Sequence, residues 1–342
     1  MSFALGYDVG GTTTKLVLME APATVVASDR LPTLPDEGPA ALVARCLERG
    51  HALAAAHGRT LEEAAGVGVG VAGLVDAARG LLAAAPNLGP FAGDAIRQRF
   101  ADAFSLPVAL DNDANLWALG EALIGAAVGA RVVAVLALGT GVGGGVVVDG
   151  QLLHGARGMA AEFGHMALTP DAGPRCSCGA RGCLEAYVGT RAIVERARRL
   201  AERQAGSGDS PLARALAGDD ASPRTIAEAA RAGDSQALEV FETTGRWLGI
   251  GIANLLCALD PDAVVIGGGV ALVGAPLLDA VRREVWGRSM APLLEGLRIL
   301  PAALEDQGGV LGAALLALAA AGAPRPSPVT VRDPLRPHEQ RS

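Results

Sequence analysis

His165, Cys176, Cys178 and Cys183 stand in the pattern H-x10-C-x-C-x4-C, in a chain that holds only five Cys and five His. One imidazole and three thiolates form the donor set of a tetrahedral structural zinc site. Buried free thiols or a disulfide are the plainer alternatives. A CxC pair with a third Cys and a His close by favours the metal. Glu162 precedes the cluster and Glu185 follows it. A metal knot here would bring two carboxylates to one place and shape a binding site.

A second group of acids lies at Asp111-Asn112-Asp113-Ala114-Asn115, between a short apolar run and a helical pattern. In open α/β sheets, ligands bind outside the carboxyl ends of strands. A carboxylate at that point can accept the proton of a substrate hydroxyl. Asp and Asn are also favoured helix N-caps, and one residue suffices for capping. Two Asp and two Asn exceed that need. Asn87, in Pro86-Asn87-Leu88-Gly89, is a further polar candidate or an ordinary turn residue. Asp8 ends the first apolar run beside a Gly/Thr loop. A carboxylate next to phosphates suits Mg²⁺, which takes one or two carboxylates plus phosphate oxygens and water.

The glycine loops narrow the choice of cofactor. Gly139-Thr140-Gly141-Val142-Gly143-Gly144-Gly145 is followed by the strand-like Val146–Val148, not by a helix. The dinucleotide-binding fingerprint requires a helix there. Gly10-Gly11-Thr12-Thr13-Thr14-Lys15 likewise lacks the G-x4-G-K-[ST] spacing of a P-loop. Two Gly-rich β-hairpins remain, whose backbone N–H groups and Thr hydroxyls can approach phosphate oxygens. Facing each other across a cleft, they would grip a triphosphate. A third cluster, Gly267-Gly268-Gly269-Val270, follows a strand and would admit a flat base. Any one cluster alone reads as a tight turn. Lys15 is the only Lys among 29 Lys and Arg. A compact point charge that Arg does not replace is one explanation, and chance survival is the other.

Composition sets the frame for these groups. The 342 residues suffice for about two domains. Apolar residues make up 50% and aromatics 3%, so the core must be built from Ala, Val and Leu. The net charge of -7 and the absence of a basic stripe argue against nucleic acid as a partner. The apolar run Val310 to Ala323 is too short and Ala-rich for a membrane span. No basic leader precedes the first apolar run, and the cysteines are clustered and odd in number, so a reducing cytoplasm is expected. Cys46 and Cys257 read as small hydrophobes.

Periodicity then supplies the elements. Residues 3–20 read as strand, tight turn, strand, and residues 131–155 repeat that form. Helices are expected at 39–57, 92–104, 114–124, 185–204, 235–259, 276–288 and 310–321. Strands are expected at 66–72, 107–110, 263–266 and 297–300. Residues 205–222 read as a loop, and the Pro/Arg tail from Gly322 as disordered. Alternating strands and helices indicate the α/β class.

Taken together, these motifs resemble the ROK family (repressor, open reading frame, kinase) of the actin-like ATPase superfamily, specifically its bacterial sugar kinases. The resemblance covers roughly residues 3–321. Asp8-Val-Gly-Gly-Thr-Thr-Thr-Lys15 is similar to the first phosphate motif of the family, Gly139–Gly145 to the second, and Gly267–Val270 to its adenosine loop. Asn112-Asp113-Ala114-Asn115 resembles the catalytic segment, which gives the base role to Asp113 rather than Asp111. Glu162-Phe-Gly-His165 and Cys176-x-Cys178-Gly-x-x-Gly-Cys183-x-Glu185 resemble the zinc signature, the most specific of the set.

The resemblance implies an α/β fold of two actin-like (ribonuclease H-like) domains, with mixed sheets flanked by helices and a cleft between them. A small domain would span 1–112, completed by a C-terminal helix near 307–321. A large domain would span 113–306. The implied activity is transfer of the γ-phosphoryl group of ATP to the 6-hydroxyl of a hexose, with glucose first. N-acetylmannosamine, N-acetylglucosamine, fructose and allose are alternative acceptors, and polyphosphate an alternative donor. The implied sugar ligands are Asn87, Asn112, Asp113, Glu162, His165 and Glu185, with His165 also on zinc. The implied ATP ligands are Gly10, Gly11, Thr12, Thr13, Lys15, Gly139, Thr140, Gly141, Gly268 and Gly269. Mg²⁺ would be held through Asp8. A homodimer or higher homo-oligomer is implied as well. Leu88-Gly89-Pro90-Phe91 departs from the family, where many members carry a Trp, and the tail lies outside the likeness. A sugar-responsive regulator would need a DNA-binding segment ahead of Asp8, and a non-catalytic sugar-binding module would not need both phosphate loops.

Overall fold

The computed structural model describes residues 2–85, 88–171, 173–203, 210–218 and 221–326. In chain order, the first half contains β1 (Phe3–Val9), β2 (Thr13–Glu20), β3 (Thr24–Pro32), α1 (Gly38–Ala56), β4 (Gly66–Val71), β5 (Leu74–Asp76), β6 (Leu81–Ala84), α2 (Ile96–Phe104), β7 (Val108–Asn112) and α3 (Asp113–Leu123). The second half contains β8 (Val132–Leu138), β9 (Val142–Val148), β10 (Gln151–Leu152), α4 (Glu185–Val188), α5 (Thr190–Arg203), α6 (Pro211–Leu216), α7 (Pro223–Arg231), α8 (Ser235–Leu259), β11 (Ala263–Gly267), α9 (Ala275–Arg288), α10 (Ala291–Leu294), β12 (Arg298–Pro301) and α11 (Gly308–Ala320). The chain divides into two compact units, one from residues 1–129, 145–160 and 306 onward, the other from 130–144 and 161–305.

In the first unit a mixed sheet runs β3-β2-β1-β4-β7. β1 and β2 pair antiparallel, which places Asp8 opposite Lys15. β4 lies parallel to β1 and β7 parallel to β4, so Val9, Val71 and Asn112 end at the same edge. One face carries Phe3, Leu5, Tyr7 and Val9, packed with the apolar residues of α1 and α2. Tyr7 donates its hydroxyl proton to the Cys46 carbonyl at 2.9 Å, and its ring lies 5.7 Å from those of Phe100 and Phe104. The opposite face receives α11, which is apolar on every side. A Cβ at Gly68 would strike the Ala313 carbonyl, and one at Gly312 would strike that of Leu116. Those two glycines let α11 lie directly on β4 and α3. This contact draws α3 into the first unit, which also holds residues 145–160 and so extends beyond the 1–112 span that the resemblance implied.

The second unit is built on the sheet ordered β10-β9-β8-β11-β12. β11 is parallel to both β8 and β12. Its helical layer centres on α8, whose buried stripe includes Val240, Phe241, Leu248, Ile252 and Leu256. The helix expected over 185–204 is broken at Gly189. The N–H of Thr190 and its hydroxyl both bind the Gly139 carbonyl, at 3.0 and 2.8 Å, and this pulls the chain out of helical register. Part of the loop expected over 205–222 is helical: Ser210 caps α6, and Ser222 with Thr225 forms a capping box for α7. Residues 204–209 and 219–220 lie outside the described residues, as does the tail from 327. Among the described residues, no helix is long and apolar enough to cross a membrane.

Candidate functional site

In the first unit, the β1–β2 turn is closed by the Gly10 N–H on the Thr13 carbonyl at 3.2 Å. Thr33, just past the end of β3, steadies it by donating its hydroxyl to the Gly10 carbonyl at 2.7 Å. Thr12 and Thr13 are left exposed at the tip. Lys15 Nζ sits 4.0 Å from Asp8 Oδ2 and 3.2 Å from Asp306 Oδ2, and it also donates to the Asp306 carbonyl oxygen. Burial, reinforced by the negative charge of Asp113, pushes the Asp8 carboxyl up to about 6, with Lys15 opposing. Asp8 therefore holds its charge at neutral pH under strain that a bound cation would relieve. A single carboxylate beside a Gly/Thr turn suits Mg²⁺, which draws its remaining ligands from phosphate and water.

Asp113 opens α3 from the carboxyl end of β7. Asn112 is the N-cap, accepting from the N–H groups of Ala114 and Asn115 at 2.8 and 3.2 Å. It donates its own amide to the Gly73 carbonyl at 2.8 Å. With capping done by Asn112, the Asp113 carboxylate is bound by the Ala114 N–H at 2.9 Å and also by its own N–H and the Asn112 side chain. Burial raises its pKa, while its hydrogen bonds pull the other way. Asp111 is differently placed. It is 2% exposed, and both of its oxygens are engaged, by Asn112 N–H and Asn115 Nδ2 on one side and by His154 on the other. Asp111 is thus committed to the start of α3 and to His154.

In the second unit, one ligand atom from each of His165, Cys176, Cys178 and Cys183 lies within 4.8 Å of the others. The Cys178 and Cys183 sulfurs are 3.8 Å apart. Zinc–sulfur bonds of about 2.3 Å, set tetrahedrally, require about the same separation. The set therefore fits Zn²⁺ in both chemistry and spacing. His165 turns Nδ1 toward Cys176 Sγ at 3.5 Å and Nε2 toward Glu162 at 3.9 Å, so one imidazole serves two neighbours. Glu185 accepts from Ser177 Oγ at 2.5 Å and from the Val142 N–H at 3.1 Å. Burial acts upward on its pKa, but these hydrogen bonds hold it below the ordinary carboxylate value.

The two glycine loops of this unit adjoin each other. β8 and β11 are parallel neighbours, so Gly139–Gly141 and Gly267–Gly269 leave the same edge. Gly268 has φ +84°, and a Cβ there would strike the Leu138 carbonyl. At Gly139 and Gly269 a Cβ would meet no protein atom within 4 Å, so packing alone does not demand glycine there.

The first unit thus gathers Asp8, Gly10, Gly11, Thr12, Thr13, Lys15, Asn112 and Asp113. The second gathers Gly139, Thr140, Gly141, Glu162, His165, the three cysteines, Glu185, Gly268 and Gly269. Asn87 lies outside the described residues. Sequence reasoning missed Ser177, Asp306, Thr33 and His154. Ser177 stood in view, between the two cysteines of the CxC pair.

The model of the ROK family matches residues 4–320. The chain is 34% identical to a glucokinase of Halalkalibacterium halodurans, over 90% of this chain and 92% of that protein. The structure of a ROK hexokinase from Thermus thermophilus superposes with a TM-score of 0.78 at 32% identity, covering 94% of this chain and 99% of that one. A ROK family glucokinase from Streptomyces griseus, in complex with glucose and AMPPNP, superposes with a TM-score of 0.70 at 32% identity, covering 92% and 98%.

Proposed function

The chain belongs to the ROK family, and on that premise we propose that it is an ATP-dependent hexose kinase that phosphorylates glucose at its 6-hydroxyl. The observation that carries the reading is the pairing, in one unit, of two carboxylates with different tasks. Asp8 is raised to about 6 beside the Gly/Thr turn, and Asp113 is buried and raised at the start of α3.

Asp113 accepts the proton of the sugar 6-hydroxyl as that oxygen attacks the γ-phosphorus of ATP, whose bond to the β,γ-bridging oxygen breaks and releases ADP. Burial raises the Asp113 pKa, which strengthens the carboxylate as a base. N–H groups of Gly10–Thr12 and Gly139–Gly141 hold the phosphate chain, and the Thr12, Thr13 and Thr140 hydroxyls add donors. Lys15 contributes a point charge to the same anion. Gly268 and Gly269 receive the adenosine. Glu162, His165, Glu185, Asn112 and Asn87 hold the sugar hydroxyls, which fixes which oxygen faces phosphorus. Mg²⁺, held at Asp8, would supply charge neutralisation on the phosphates, and Zn²⁺, held by His165, Cys176, Cys178 and Cys183, would supply shape alone. Catalysis of this kind is mainly orientation and electrostatics.

Glucose is the proposed acceptor because the glucokinases at 34% and 32% identity cover most of their own length and of this chain. The test is ADP release from MgATP with the purified protein across glucose, mannose, fructose, allose, N-acetylglucosamine and N-acetylmannosamine. Glucose should give the highest kcat/KM. A higher value with another sugar would replace glucose, and no turnover with any of them would overturn the kinase.

A further inference from the structure

We propose that His154 is a positioning residue for Asp113, acting through Asp111. The inference rests on the reading of Asp113 as the base.

Asp111 lies one residue before the end of β7 and is 2% exposed. A carboxylate removed from water needs its lone pairs engaged and its charge matched. Oδ1 accepts the Asn112 N–H at 2.8 Å and the Asn115 side-chain amide at 2.9 Å. Oδ2 lies 2.6 Å from Nε2 of His154, from a segment 43 residues further along the chain. His154 thus fixes one oxygen, and the other grips Asn112, just before Asp113, and Asn115, two residues after it. Asn112 in turn caps α3 and ties itself to Gly73. The direction of the Asp113 carboxylate is set by that turn.

The His154 segment is itself built to hold still. Its carbonyl accepts the Ala160 N–H at 3.0 Å, closing residues 154–160 into a loop within the same unit. The hydrogen bond to Asp111 raises the imidazole pKa and favours its charged form. The other ionisable groups on elements around it are Asp113 and Glu121 of α3, Asp149 of the β9–β10 turn and Arg325, which lines the same small cavity as His154. Arg325 donates to the Asp149 carbonyl. Among the described residues, Asp111 is the charged group within hydrogen-bonding reach of His154. Without that partner, Asp111 must take up a proton or turn toward water. Either change loosens its hold on Asn112 and Asn115.

The experiment compares His154→Gln, whose amide can reach Asp111, with His154→Leu, which cannot. Turnover by the parent is measured first, and its absence would remove the kinase reading itself. With an active parent, His154→Leu should lose on the order of tenfold to a hundredfold in kcat, the scale expected for a misplaced base. Its KM for ATP should stay within about twofold, since the phosphate loops are untouched. His154→Gln should recover most of kcat. If His154→Leu does not fold, His154→Asn, whose amide stops short of Asp111, takes its place. Equal kcat in the Gln and Leu (or Asn) variants would overturn the proposal. So would a loss explained wholly by a smaller folded fraction in a melting curve.

Discussion

Glu185 Oε2 accepts the backbone N–H of Val142 at 3.1 Å, at the first residue of β9. The carboxylate that leaves the cysteine cluster is thereby tied to the Gly139–Gly141 turn. Its other oxygen is held by Ser177, between Cys176 and Cys178. Within the second unit, Glu185, the Gly139–Gly141 turn and the cysteine cluster are thus parts of one hydrogen-bonded assembly.

Gly141→Ala tests that assembly. A Cβ at residue 141 would collide with Oε2 of Glu185. The substitution should raise KM for both ATP and glucose, each by roughly tenfold, the cost of losing about one hydrogen bond to a charged group. Steady-state kinetics with each substrate varied in turn will read this. A change in KM for ATP alone would show that the two are not coupled through Glu185.

Cys178→Ser removes one soft ligand from the His165, Cys176, Cys183 set. Bound zinc, measured by elemental analysis, should fall from one per chain toward none. Glucose affinity, measured by calorimetry without nucleotide, should fall with it, because His165 and Glu185 both depend on the knot. Undiminished affinity in a zinc-free variant would sink the shaping role.

Asp8 gives a prediction with a definite sign. Its carboxyl is pushed up to about 6 in the folded chain, against an ordinary 3.8. The folded chain therefore binds this proton more tightly than the unfolded chain. The contribution to stability is full below about 3.8 and is lost as pH rises through about 6, up to about 3 kcal/mol. Asp8→Asn removes that loss. Without nucleotide it should melt above the parent at pH 8 and close to it at pH 4, while losing turnover. A lower melting temperature than the parent at pH 8 would contradict the account. In the parent, kcat/KM for MgATP should fall as pH drops below about 6, when Asp8 takes up its proton.

The parts of the site that were legible in the sequence are those whose residues lie close together. His165 to Glu185 spans a single stretch of chain, and its donor types name the metal. The same holds for Asp8 to Lys15, where strand, turn and strand follow one another. What escaped was distant. His154 reaches Asp111 across 43 residues, and Asp306 reaches Lys15 across 291. No local pattern marks either pair. The break between α4 and α5 was hidden for a similar reason, since a contact from Thr190 back to Gly139 overrides the helical periodicity. α7 was missed although it carries a capping box, because a short helix gives a weak periodic signal, and β3 because this edge strand buries only Leu31 and so shows little alternation.

The most direct test of the account follows glucose and MgATP by phosphorus and carbon NMR with the parent and with Asp113→Asn. The parent should form glucose 6-phosphate and ADP in equal amounts. Asp113→Asn should bind glucose with an affinity within about threefold of the parent and turn over at least about a thousandfold more slowly, on the scale of removing a general base. Phosphorylation at another hydroxyl, or near-parental turnover by Asp113→Asn, would contradict it.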